Sequence, residues 1–99
     1  MQEIFDIKKQ LEVEKENLFS DKAQMKDAFK LCINYSLLVE EYIFKLLANK
    51  KVNFILAAAG SFSRRELSPY SDIDLMFIAE DINLEKQNIE ESVAALWDI

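Results

Sequence analysis

The chain has 99 residues, 51% of them hydrophobic, with 12 lysines and arginines against 18 aspartates and glutamates and a net charge of -6. That length makes one domain at most, near the lower part of the usual range of about 50 to 200 residues, with enough apolar sequence for a core. The acidic balance argues against a dedicated DNA or RNA binder, since phosphate-backbone affinity is carried by clustered Lys and Arg, and the absence of histidine excludes Ser-His-Asp triads and histidine-ligated zinc within the chain.

Met1 opens a charged stretch, QEIFDIKKQLEVEKEN, without the basic start and apolar core of a signal peptide. No apolar run approaches the roughly 20 residues that span a bilayer, so the expected location is the cytoplasm, with no membrane partner. From Glu3 to Leu18, Ile4, Ile7, Leu11 and Leu18 recur at helical spacing among Lys8, Lys9, Glu12, Lys15 and Glu16. This predicts an amphipathic helix with a solvated charged face. Ser20 or Asp21 can cap a second helix by accepting from its first free amides. Met25, Phe29, Cys32, Tyr35 or Ser36, Val39, Ile43 and Leu46 then repeat at three and four residues, carrying that helix to about Ala48. Its apolar stripe is expected to cover one face of a small sheet. Cys32, the only cysteine, excludes an internal disulfide and reads as a small buried hydrophobe. Asn49-Lys50-Lys51 closes the helix with favourable positive charge.

The first strand is expected over about Val52 to Ala59, its alanines leaving room for a close helix or a ligand. Ser61 to Leu67 reads as a short helix, and Ser68-Pro69-Tyr70-Ser71 as a turn, where proline's fixed φ and missing amide are tolerated. A second strand follows over about Asp72 to Ala79. Asp81 or Asn83 then starts a helix with Ile89, Val93, Leu96 and Trp97 on one face, Trp97 in the core. Residues 1–50 thus read as an N-terminal helical segment and 51–99 as a segment of two strands and two helices, in one compact domain.

Chemistry is concentrated in Gly60 to Phe77, GSFSRRELSPYSDIDLMF. Side chains alternate along a strand, so Asp72 and Asp74 point the same way, roughly 6 to 7 Å apart, with Ile73 and Leu75 opposite. Two such carboxylates repel, and a hard divalent cation between their oxygens relieves the repulsion; Mg²⁺ is the natural occupant, completing its shell with water and nucleotide phosphate. Gly60, the only glycine, follows an apolar strand and lets the backbone approach a phosphate, while Ser61 adds a hydroxyl donor. Arg64 and Arg65 offer guanidinium forks suited to phosphate. Glu66 reads as structural, pairing with an arginine or accepting amides, and Ser71 reads equally as a turn residue or a nucleotide ligand.

Strand, Gly60-Ser61, a spacer of ten residues and Asp72-Ile73-Asp74 on a second strand together resemble the nucleotidyltransferase superfamily that includes DNA polymerase beta. Arg64-Arg65-Glu66-Leu67 followed by SPYSDIDL, with the closing LWDI, is most similar to the nucleotidyltransferase domain of bacterial PII uridylyltransferases, the bifunctional uridylyl-removing enzymes of nitrogen sensing. The resemblance implies an α+β, two-layer polymerase-beta-like core, a small mixed sheet packed by helices and preceded by N-terminal helices. It implies Asp72 and Asp74 as metal-binding catalytic residues with Mg²⁺, and Gly60, Ser61, Arg64 and Ser71 at the nucleotide. UTP is the implied donor among nucleoside triphosphates and the PII signal protein the implied acceptor, with no direct nucleic acid partner. That family usually has a second glycine at Ser61 and glycines at Ser63 and Arg65, which this chain lacks. It also has a third carboxylate on a later strand; Glu80 and Asp81 follow too closely to supply it, so the chain reads as a fragment of a larger enzyme or a truncated copy. Other readings are a nucleotidyltransferase with another acceptor (a small molecule, an antibiotic or a toxin partner) and a truncated non-catalytic nucleotide-binding or interaction domain.

Overall fold

A computed structural model describes residues 4–20, 27–48, 53–68 and 72–97. Helices α1 (Ile4–Ser20) and α2 (Ala28–Leu47) are followed by strand β1 (Phe54–Ala59), the single helical turn α3 (Gly60–Ser63), strand β2 (Asp74–Ala79) and helix α4 (Ile82–Leu96). No helix among the described residues is long and apolar enough to cross a membrane.

Helix α2 is the centre of the packing because its apolar residues cover more than one side of the cylinder. Tyr35, Val39 and Ile43 form one buried cluster with Phe62 and Leu67, against which Leu56, Ile73 and Leu75 of the sheet region pack. Tyr42 and Leu46 form a second cluster with Ile7 and Leu11 of α1. The predicted stripe is therefore real from Tyr35 onward, and wider than one face. Its beginning differs. The cap is Asp27, whose side chain accepts from the Lys30 amide at 3.1 Å, whereas Ser20 is the last residue of α1 and its hydroxyl donates to the Asn17 carbonyl. Asp21 and Met25 lie outside the described residues, and Phe29, on the first turn of α2, is exposed.

The strands form a two-stranded antiparallel pair in register Phe54↔Ala79 through Ala59↔Asp74. The mixed sheet expected from the resemblance is, among the described residues, this antiparallel pair alone. The connection from Ala59 to Asp74 brings β2 back beside β1 in the opposite direction. Directly opposed residues share a face, so Phe54, Leu56, Ala58, Leu75 and Phe77 look toward α2, with the rings of Phe54 and Phe77 edge to face at 5.2 Å. Ile55, Met76 and Ile78 are exposed on the other face.

Asp81, of the two caps anticipated for α4, is the one used: its carboxylate accepts from the Asn83 and Leu84 amides at 3.0 and 3.2 Å. The buried face of α4 is not the expected one. Glu85, Ser92 and Ala95 are buried, Ile89 and Leu96 half-buried, Val93 exposed, and Trp97, expected in the core, is 67% exposed. Small side chains let α4 lie close to its neighbours. Glu85 can be buried because it accepts both the Asn53 backbone amide and, at 2.8 Å, the Asn88 side-chain amide.

Candidate active site at the hairpin end

The end of the hairpin where β1 passes into α3 is built around Gly60. Its φ of +59° lies in the left-handed region that side chains disfavour. A Cβ added there would stand 2.6 Å from Oδ2 of Asp74, the first residue of β2, because Ala59 and Asp74 are cross-strand partners. Backbone conformation and close approach thus both call for glycine, and the approach is to a residue singled out as a metal ligand.

From Gly60 the chain winds tightly around one carbonyl. Ser61 O accepts from the Arg64 and Glu66 amides at 3.2 and 3.0 Å, Phe62 O accepts the Arg65 amide at 3.1 Å, and the Ser63 hydroxyl donates to Gly60 O at 2.6 Å. The helix expected over Ser61 to Leu67 stops after one turn because Arg65 takes a left-handed φ of +55°. This is one of the positions at which the resembling family carries glycine. Phe62 and Leu67 are buried in the α2 cluster at either side of the turn, leaving Ser61 half-buried and Arg64, Arg65 and Glu66 exposed.

The arginines are engaged differently. Arg64 Nε pairs with Glu66 Oε2 at 3.1 Å on the exposed side of the loop, the structural role expected of Glu66. Arg65 reaches back to Glu40 of α2, Nη2 to Oε2 3.6 Å. Exposed pairs of this kind contribute about 0 to 1 kcal/mol, so Arg64 can exchange Glu66 for a ligand at little cost.

Asp74 opens β2 while Asp72 lies two residues before it, outside the strand expected to hold both. The strand alternation nevertheless extends back to it: Asp72, Asp74, Met76 and Ile78 are exposed, and Ile73, Leu75, Phe77 and Ala79 half-buried. Ile73 and Leu75 pack on the core and keep the carboxylates on the solvent side. Ser71 lies outside the described residues. Among the described residues no group of three or more His, Cys, Asp and Glu side chains is gathered to hold a metal, and Asp81 is committed to its helix cap. A cavity of about 500 Å³, lined by Ile43, Phe44, Leu47, Leu56 and Leu75 among others, belongs to the α2 side of the sheet, not to the carboxylate side.

Ser36 and Glu40 of α2, which hold the loop, were not apparent as site residues from sequence. Ser36 was an alternative to Tyr35 on an apolar stripe, and its one distinguishing signal is a hydroxyl where a hydrophobe would do.

Fold and site define a small helix-and-sheet protein whose hairpin end sets a left-handed glycine against a strand carboxylate, beside a turn bearing Ser61 and Arg64. Comparison with known proteins gives this arrangement a context. Over 66 residues the chain is 41% identical to the bifunctional uridylyltransferase/uridylyl-removing enzyme of Psychrobacter sp. (strain PRwf-1), covering 65% of the chain and 7% of that enzyme. It is 40% identical over 72 residues to the enzyme of the same name from Psychrobacter cryohalolentis, covering 71% of the chain and 8% of the relative. With that of Legionella pneumophila (strain Corby) it is 28% identical over 99 residues, covering 94% and 12%. The chain therefore spans only 7% to 12% of the length of these relatives. No protein-family model matches it. No solved structure matches it either.

Proposed function

We propose that this chain carries the nucleotide- and metal-binding part of a nucleotidyltransferase of the polymerase-beta type, one that moves UMP from UTP to a protein hydroxyl. The acceptor is a tyrosine of the PII signal protein in bacterial, cytoplasmic nitrogen regulation. The observation that carries the reading is the hairpin end: Gly60 lies against Asp74 in a chain 41% identical over 66 residues to an enzyme named for uridylyl transfer.

Asp72 and Asp74 are exposed, acceptor-only oxygen donors on one side of the chain, a donor set that suits a hard divalent cation such as Mg²⁺. They are the residues that would hold it. Bound there, the ion supplies charge neutralisation for the phosphates and acidifies the acceptor hydroxyl. Gly60 brings backbone to the triphosphate without a side chain in the way, and the Ser61 hydroxyl donates to a phosphate oxygen. Arg65 is directed to Glu40, so Arg64 is the arginine for the phosphates, leaving Glu66 as they arrive. The acceptor oxygen forms a bond to the α-phosphorus, the bond to the bridging oxygen breaks, pyrophosphate leaves and the hydroxyl proton passes to solvent. The acidic net charge does not oppose this, because the cation rather than the protein surface meets the phosphates.

Titration calorimetry with UTP, ATP, CTP and GTP, each with and without Mg²⁺, tests the reading. Mg²⁺-dependent binding that prefers UTP and is lost in an Asp72→Asn, Asp74→Asn variant is the expected outcome. Binding without preference for UTP would point to a nucleotidyltransferase with another donor and acceptor. A folded chain that binds none of the four would overturn the proposal.

A further inference from the structure

We infer that Ser36 of α2 is a positioning residue for the nucleotide-binding turn. The inference rests on the reading of Gly60 to Asp74 as a nucleotide site, and it deepens that reading by naming what holds the site in place.

Ser36 is fully buried, and its single hydroxyl proton is given to the Cys32 carbonyl at 2.8 Å within α2. Its oxygen is then free to accept, and it accepts the backbone amide of Leu67 at 3.0 Å, 31 residues away in sequence. Leu67 is itself fully buried. An alanine or valine at position 36 would suit a cluster made of Tyr35, Val39, Ile43, Phe62 and Leu67, but would leave the Leu67 amide buried without a partner. The serine therefore answers a need of the loop, not of the helix, where a hydroxyl bonded to the carbonyl four residues back is neutral or slightly unfavourable.

The loop thus fixed is the one that bears the proposed ligands. Ser61 immediately precedes Phe62's anchor and Arg64 lies between that anchor and the Leu67 bond, and the chain continues from Leu67 toward Asp72. Glu40 draws Arg65 to the same helix at 3.6 Å, at the position where φ is +55° without a glycine. Lost tethering would let this turn relax toward ordinary backbone and move Ser61 and Arg64 away from Asp74.

Ser36→Ala and Ser36→Thr, in the whole 99-residue chain, separate positioning from mere stability. Amide hydrogen exchange is followed at Leu67 and the preceding turn, and in the Val39 to Leu46 stretch of α2, alongside calorimetry with Mg·UTP. In Ser36→Ala the Leu67 amide and its turn are expected to exchange about tenfold faster while the α2 amides are unchanged, with Mg·UTP affinity falling about tenfold. Ser36→Thr, which keeps the oxygen, should recover at least part of both. Equal acceleration at every amide, or no change at Leu67, would overturn the inference. Should the unmodified chain bind no nucleotide, the proposed function fails separately, and the exchange comparison still decides whether Ser36 holds the turn.

Discussion

Gly60 is where conformation and chemistry meet in one residue. Its positive φ costs a side chain about 1 to 2 kcal/mol, and the space for a Cβ is already taken by the Asp74 carboxylate. Gly60→Ala should lower stability by about that amount in urea unfolding and, by pushing Asp74 aside, weaken Mg·UTP binding beyond what the stability loss explains. An alanine variant that bound Mg·UTP as well as the parent would show that the close approach has no functional weight. The need for glycine here was legible from the sequence, because the only glycine follows an apolar run and precedes a serine. The left-handed Arg65 was not legible, because an arginine where the resembling family carries glycine argues for a loop less permissive of positive φ, yet φ there is +55°. Its direction toward Glu40 was hidden, since nothing in local sequence says which of two adjacent arginines turns to the helix.

Among the elements, α2 follows from periodicity because its buried positions are occupied mostly by large apolar residues, and the strands follow from their apolar runs, whose inward side chains are only half-buried. Helix α4 does not, since its buried positions are Glu85, Ser92 and Ala95. A hydrophobic count assigns the wrong face when small residues make the close contact and a carboxylate is buried by its hydrogen bonds. The α1–α2 interface holds a strongly shifted acid. Burial, reinforced by the adjacent Glu14 carboxylate, pushes the Tyr42 phenol well above its ordinary value of 10.0. The unfolded chain therefore loses that proton first as pH rises above 10.0, and folding stability falls with it. Below that pH both states keep the proton, so the phenol adds no pH dependence there. In Tyr42→Phe, thermal melts should lose part of this alkaline decline while staying within about 1 kcal/mol of the parent at neutral pH. The ring that Lys45 covers at 4.3 Å is retained in that variant, so the difference reports the hydroxyl. An unchanged alkaline slope would exclude Tyr42 as its source.

At the scale of the molecule, one helix serves both hydrophobic clusters, and Leu38 and Leu96 pack against each of them. The N-terminal helices and the hairpin are therefore expected to unfold together. Helix signal by circular dichroism and amide exchange in the hairpin should report one midpoint in urea, and two separated transitions would refute that coupling. The α+β character was legible from the sequence; the antiparallel pairing was not, because strand partners are set by where the connection leads. The bonds that join distant parts share a further property. Ser36 meets the Leu67 backbone and Glu85 meets the Asn53 backbone. Every residue but proline presents a backbone amide, so most substitutions at Leu67 or Asn53 leave the donors of these bonds in place. For the bonds themselves only Ser36 and Glu85 need a particular side chain, while Leu67 is held apolar by its place in the core; correlated substitution between the paired positions is not required. The Ser36 bond that holds the turn of the proposed site is thus a contact that co-variation is poorly able to reveal.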